Sequence, residues 1–369
     1  MTSWASLKGA LTAAAFISLA SCATTGTPPH LRQLSQLPGW NDDATFQAFP
    51  ALSASCAVIA TLSAEKPAAL GGSPTEWREG CDAIDGLKAA LVSDQDVALR
   101  QVLQTHFIAL DPGAGTDMLI TGYYEPLLDG SRLKDAAHPY PLYRLPPDPK
   151  QFDRAEIDSG ALANRKLELL WVSDPVDAFF LQVQGSGRVR LADGSIARIG
   201  FAGTNEREYV SIGRAMVDAG IMTKEEVTLQ TIRAYLAAHP DEIFDWLHKN
   251  PRYVFFRELG PSDDRGPVGA LNVPLTPGRS VAVDPEFVSL GLPLWLNTTR
   301  PTTGAPLQQL VAAQDKGGAI KGPGRIDLFW GAGEEAERLA GEMKQRGQYW
   351  IIVPRQVGAR WLAQQGTGF

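Results

Sequence analysis

This chain has little that points to metal, redox or nucleic-acid chemistry. Its five histidines (His30, His106, His138, His239 and His248) show no H-E-x-x-H spacing, and three cysteines are too few for a thiol-rich metal site. No metal and no cofactor are therefore expected. Gly331-Ala332-Gly333-Glu334-Glu335-Ala336 follows a strand pattern and opens a helix, as a dinucleotide fingerprint does, but two glutamates at a helix start would repel a pyrophosphate. The G-x-S-x-G pattern is absent, so Ser186 is not read as a nucleophile. There is also no basic run, and 34 Lys and Arg against 41 Asp and Glu give a formal net charge of -7. That balance excludes a general field for nucleic acid and argues against electrostatic adhesion to anionic lipid.

What the chain has in quantity is punctuation. Thirty-six glycines and 26 prolines in 369 residues imply many turns and a β-rich fold, long enough for two domains. Residues 1–21 read as a secretory signal: Lys8 precedes an apolar run from Ala10 to Ala20, too short to span a bilayer. It closes on Leu19-Ala20-Ser21-Cys22, which resembles a bacterial lipobox and implies lipidation of Cys22. Residues 22–40 then read as a flexible tether, and 41–134 as a helical part followed by the first strands of a barrel domain. Cys56 and Cys81 would lie in an oxidising compartment, where a pair tends to form a disulfide; two buried thiols are the alternative.

Further along, Met118 to Pro126 reads as a strand with adjacent tyrosines, one ring on each face, so that either Tyr123 or Tyr124 can line a groove as a platform for sugar rings. Glu125 either assists the chemistry or holds the turn. Phe179 to Leu191 reads as two strands joined at Gly185-Ser186-Gly187. In such a strand Gln182 and Gln184 share a face, where amides suit sugar hydroxyls and N-acetyl groups; an ordinary solvated face is the alternative. Helices are expected over 206–219, from Thr223 to His239, and through Ile243 to Leu247, with a last one ended by Gly347.

The stretch that organises the chain is Gln314 to Gly331, which holds Asp315 and Asp327 with four glycines and a proline between them. Such a link lets the backbone double back and bring both carboxylates to one site. In a strand, Ile326, Leu328 and Trp330 share one face and Asp327 and Phe329 the other. A carboxylate beside an aromatic is poorly solvated, and its pKa should rise. The plain alternative is a solvated strand residue with a turn aspartate upstream.

QDKGGAIKGPGRIDLFWG, with VAVDP ending at Pro285, resembles the three-aspartate module of the membrane-bound lytic murein transglycosylase A (MltA) family; TGYYEP, FFLQVQGSG and NPRYVFF fit in the same order. The resemblance implies a double-psi β-barrel with a second, smaller β-domain inserted, here set at 135–250, the barrel resuming over 251–369, and a groove between the two. It also implies a peptidoglycan lytic exotransglycosylase that forms a 1,6-anhydro product without water, with Asp327 as the single acid and base and Asp315 in support. Asp284 is expected to cap a turn, and Tyr123, Tyr124, Glu125, Gln182, Gln184, Gly185 and Lys321 to contact glycan. Lys316 should favour the ionised state of Asp315 if the side chains meet, and Lys321 and Arg325 either meet substrate carboxylates or peptide termini or are merely exposed. Implied partners are glycan strands, cell-wall synthesis proteins, and the outer membrane through the lipid anchor on its periplasmic face. The chain is expected to act as a monomer. A lipid-anchored protein that binds glycan without cutting it, and a hydrolase using both aspartates, are the competing readings.

Overall fold

A computed structural model describes residues 30–62, 72–88, 94–113, 115, 117–260 and 266–366. The signal segment, Cys22 and the first part of the tether lie outside these.

The tether ends earlier than expected. Leu31–Arg32 pairs antiparallel with Ala109 and Leu110, and Leu34, Leu37 and Trp40 are buried. Leu34 opens a single tight helical turn, Leu34–Gln36, and the Trp40 ring stands 4.9 Å from that of Trp295. Three helices follow. Phe49–Ile59 starts on a proline, a Ser73/Glu76 capping box opens Pro74–Gly86, and Asp94 accepts from the Val97 amide to cap Gln95–His106. Their inward residues, among them Leu52, Trp77, Ile84, Leu99 and Leu103, join the main core.

A Cys56–Cys81 disulfide ties the first two helices across 25 residues. Closing a loop of that size stabilises a fold by about 3 kcal/mol. Replacing both cysteines with serine is expected to lower the thermal midpoint by roughly 5 °C. Calorimetry of the two proteins measures it, and an unchanged midpoint would show that the bridge constrains nothing.

The main core fills a ring of strands. Lys344–Pro354 pairs with Pro293–Thr299, which pairs with Pro306–Asp315, both antiparallel. Ser280–Ala282 lies parallel to Pro306–Asp315 and antiparallel to Arg325–Ala332; the latter runs parallel to Met118–Glu125. Met118–Glu125 then pairs antiparallel with Lys344–Pro354, so the ladder returns to its start. Closure removes the exposed edges that would otherwise recruit other strands. Ile120, Val281, Leu294, Leu310, Ile326 and Ile351 are buried in its core.

A second, six-stranded sheet is inserted between Met118–Glu125 and Ser280–Ala282. It begins with Leu127–Ser131 and ends with Val254–Leu259, beyond both limits of the expected 135–250. Its own core holds Leu128, Leu170, Val172, Leu181, Ile199 and Phe256. The fold is thus mainly β, with helices packed outside.

Four expected elements differ. The segment read as a strand at Phe179 is a helix, Pro175–Gln184: Asp174 accepts from the Val176 and Asp177 amides, Pro175 sits in the first turn, and Gly185 ends it at φ 81°. Aspartate and proline before the run and glycine after it are helix punctuation, and they outweighed the β-forming residues between them. The expected 206–219 helix is only Ile212–Asp218, capped by Ser211, because Glu206 takes a positive φ of 57°. Thr223 and Glu226 do form reciprocal capping bonds, yet the regular helix starts later, at Leu229, behind Thr228. Gly347 does not end a helix. It lies inside Lys344–Pro354, where a Cβ would stand 2.5 Å from the Asn297 carbonyl oxygen, so only glycine allows the two strands to approach.

Candidate active site

Alternation along Arg325–Ala332 sends Ile326 and Leu328 into the main core, and Asp327 and Phe329 to the opposite face. There Phe329 packs with Tyr123, Leu275, Ala282 and Ile320. Thr121, the partner of Asp327 in the parallel ladder, donates its hydroxyl to Asp327 Oδ1 at 2.7 Å. Arg325 braces the pair from below, with Nη1 donating to the Leu119 carbonyl at 3.0 Å and Nη2 to Thr121 Oγ1 at 3.4 Å. Burial raises the Asp327 pKa to about 6 and the charge of Asp315 adds to this, against the opposing Thr121 hydrogen bond and Arg325 charge. This acid can hold its proton close to neutral pH.

Asp315 ends Pro306–Asp315, and both its oxygens are committed. Oδ1 accepts from the Ala270 amide at 2.9 Å and Oδ2 from the Tyr123 hydroxyl at 3.0 Å. Burial raises its pKa too, outweighing these donors and the Lys316 charge, which acts in the expected direction but does not decide the outcome. Between the aspartates, Ile320 anchors the Gly-rich loop in the Phe329 cluster, and the Gly322 amide donates to Asp284 Oδ2 at 2.8 Å. Asp284 also accepts from the Glu286 amide and is 4% exposed, so it caps its turn and ties down the loop from outside the cavity.

A cavity of about 800 Å³ opens between the ring and the second sheet. Thr121, Tyr123, Asp315, Asp327 and the loop residues 316–321 form one wall; Gln182, Gln184, Gly185, Phe201 and Arg252 lie on the other. Of the residues named for glycan contact, Tyr123, Gln182, Gln184, Gly185 and Lys321 line this cavity. Two do not. Tyr124 points the other way, against Ala336 and Ala340, and Glu125 is buried with Arg188 Nε 2.9 Å from its Oε2. Burial raises the Glu125 pKa despite that partner, and its place at the junction of the two sheets makes it structural.

The glutamines also differ from expectation. On a helix, residues two apart do not share a face. Gln182 accepts from Arg154 Nη2 and Gln184 from the Tyr124 amide at 3.1 Å, so their carbonyls brace the wall. Sequence reasoning missed Thr121, although it falls two positions before Tyr123 on the same strand face. It missed Phe201 as well, a 52% exposed aromatic inside the cavity. Arg325, read from the sequence as either meeting substrate or merely exposed, supports Thr121.

The arrangement sets one protonatable carboxyl, partly open to the cavity, beside a second that is held in place. Such a site can deliver a proton to a bound ligand and take one back. Two family models match the chain, the MltA specific insert domain over residues 119–257 and the 3D domain over residues 279–353. Membrane-bound lytic murein transglycosylase A of Vibrio cholerae is 34% identical over 244 residues, covering 64% of this chain. The match spans 65% of that curated relative, slightly less than two thirds of its length. Among solved structures, a membrane-bound lytic murein transglycosylase from Agrobacterium tumefaciens is 31% identical with a TM-score of 0.80, covering 90% of this chain and 99% of that one. MltA of Escherichia coli with bound chitohexaose is 27% identical with a TM-score of 0.68, covering 84% and 91%.

Proposed function

This chain belongs to the membrane-bound lytic murein transglycosylase A family, and from that premise we propose that it cleaves the β-1,4 bond between N-acetylmuramic acid and N-acetylglucosamine in peptidoglycan. Glycan lies in the cavity between ring and inserted sheet, as the chitohexaose bound by the E. coli relative supports. Phe201 and Tyr123 offer aromatic surface to sugar rings, and Asp327 stands at the reacting bond.

Cleavage of a glycosidic bond passes through an oxocarbenium-like transition state and needs a proton on the leaving oxygen. Asp327 supplies it. The resulting carboxylate then takes the proton of the muramoyl C6 hydroxyl, whose oxygen attacks C1 and closes a 1,6-anhydro ring. The proton returns to Asp327, so one residue completes the cycle and no water is consumed. The observation that carries this reading is Asp327, partly open to the cavity yet withdrawn from bulk water, with its pKa raised to about 6: desolvation favours the neutral acid in the first step, and Thr121 and Arg325 steady the anion in the second. Asp315 is read as the supporting acid, which orients Tyr123 and adds its charge. A two-carboxylate hydrolase is less favoured, because burial raises the Asp315 pKa and so disfavours the carboxylate that a nucleophile or a base for water would need.

We read the six-stranded ring as a double-psi β-barrel, supported by its two parallel strand pairs. Attachment to the periplasmic face of the outer membrane through Cys22 completes the reading, with murein strands and cell-wall synthesis proteins as partners. No described helix is long and apolar enough to cross a membrane.

Digestion of purified sacculi with mass spectrometry of the products tests the chemistry. Muropeptides one water lighter than hydrolysis products are expected. Reducing ends would replace this reading with the hydrolase, and intact sacculi with a binding protein.

A further inference from the structure

Six basic side chains line the cavity against two acids, although the chain as a whole carries a net charge of -7. Two of the six are engaged by the protein. Arg154 is buried, donates to the Asn250 and Arg252 carbonyls and to Gln182, and lies over the rings of Phe179 and Tyr253. Arg325 braces Thr121 beneath Asp327. Arg257, Lys316 and Lys321 are exposed, as basic residues usually are.

Arg252 fits neither group. It follows the Asn250-Pro251 step that ends the helical part of the insert, and it is half-buried. The one hydrogen bond its guanidinium makes among the described residues is a long one, 3.4 Å from Nη1 to the Arg207 carbonyl. The guanidinium reaches from the insert to the Gly-rich loop of the ring: a Cβ on Gly318 would stand 3.5 Å from its Cζ. Burial holds its pKa below the ordinary arginine range, and among the described residues no carboxylate forms an ion pair with it. A guanidinium withdrawn from water with no anion beside it is costly to keep, and the cost falls when a ligand brings the anion.

We propose that Arg252 binds a carboxylate carried on the side arm of the muramoyl sugar, and that it thereby selects murein glycan over uncharged N-acetylglucosamine oligomers. This rests on the glycan reading of the cavity. The two sugars of murein differ by a lactyl ether on O3 of the muramoyl ring. In peptide-free strands its carboxylate is exposed; in peptide-bearing strands it is an amide, and the anions lie further along the peptide. A planar guanidinium offers two parallel donors to either. Because Gly318 belongs to the loop joining Asp315 to Asp327, a carboxylate held at Arg252 would seat a muramoyl residue on the acid-bearing wall.

The test compares Asp327→Asn, which spares the ligand, with Asp327→Asn/Arg252→Gln by titration calorimetry. The ligands are chitohexaose, amidase-stripped murein strands and peptide-bearing strands. Arg252→Gln should weaken binding of at least one carboxylate-bearing strand by roughly tenfold to a hundredfold, the usual worth of hydrogen bonds to a charged group. Chitohexaose should change less than twofold, and Arg252→Lys should restore part of the loss. An effect confined to stripped strands assigns the lactyl carboxylate, and one confined to peptide-bearing strands assigns a peptide carboxylate. In turnover of sacculi, Arg252→Gln should raise KM more than it lowers kcat.

Equal weakening for chitohexaose would make Arg252 merely structural and overturn the proposal, as would unchanged binding of all three. If the pattern holds but the unsubstituted protein leaves sacculi intact, only the cleavage reading fails. If sacculi are cut and the pattern is absent, only the Arg252 reading fails. Failure of Asp327→Asn to bind any glycan overturns both.

Discussion

Asp327→Asn is expected to lower the rate of murein cleavage by roughly three to four orders of magnitude while leaving glycan binding in place. An amide keeps the acceptor for Thr121 and the shape of the wall, but cannot donate the proton and recover it; such a group contributes up to about 10⁴-fold to a rate. The pH profile carries a second signature. Donation requires the protonated acid, so kcat of the unsubstituted protein should fall as pH rises through about 6, the value to which burial raises Asp327. A flat profile from pH 5 to 8, or an active Asp327→Asn protein, would remove the role from Asp327 and turn attention to Asp315.

The same substitution should stabilise the fold. A carboxyl whose folded pKa is raised from 3.8 to about 6 contributes stability that is fully present below the unfolded value and is lost as pH rises through the folded one. An amide has no such loss. At pH 8 the variant should therefore be more stable, on the order of 2 kcal/mol after discounting for the side chain's opening to the cavity, and the difference should vanish near pH 3. Urea unfolding at both pH values measures this. A stable acid and a working acid are opposed at this position, as is common where function requires an unfavourable burial.

The second large effect lies far from the cavity. Arg279 and Asp43 form a buried ion pair, 4% and 8% exposed, with contacts of 2.9 Å from both guanidinium nitrogens. Arg279 also donates to the Leu310 and Ala44 carbonyls and to Gln47, and Asp43 Oδ2 accepts from the Leu310 amide. The network bolts the stretch before the first helix to two strands of the ring. Arg279→Met would strand a buried carboxylate and three further acceptors, at a cost of about 3–5 kcal/mol. Adding Asp43→Leu should recover much of that, because the stranded charge disappears with it. A loss below about 1 kcal/mol for the single variant would mean that water reaches Asp43 and the pair is not insulated.

What was legible in the sequence was local or periodic. The two-residue period placed Asp327 and Phe329 together on one face, and glycine and proline marked the loop behind them. The helical character of the stretch before the ring followed from apolar spacing, but its division into three helices did not. What was hidden depended on partners distant in sequence. Which of Tyr123 and Tyr124 faces the cavity is set by the register of Met118–Glu125 against Arg325–Ala332 and Lys344–Pro354, and local sequence carries no trace of it. The bracing of Asp327 by Thr121 joins residues 206 positions apart. The helix Pro175–Gln184 was misread for a different reason: β-forming residues were weighed above the aspartate, proline and glycine that bound it. Leu34, Leu37 and Trp40 were lost in a Gly- and Pro-rich stretch, although their apolar spacing was visible.

The way the ring closes also sets a timetable. Thr121 is synthesised before the inserted sheet, and Asp327 only after the whole of it. Closure then waits for Lys344–Pro354, which pairs with strands on both sides of it. Contacts of such long sequence separation form slowly. A nascent or truncated chain ending before residue 344 has its acid but no closed ring to bury it.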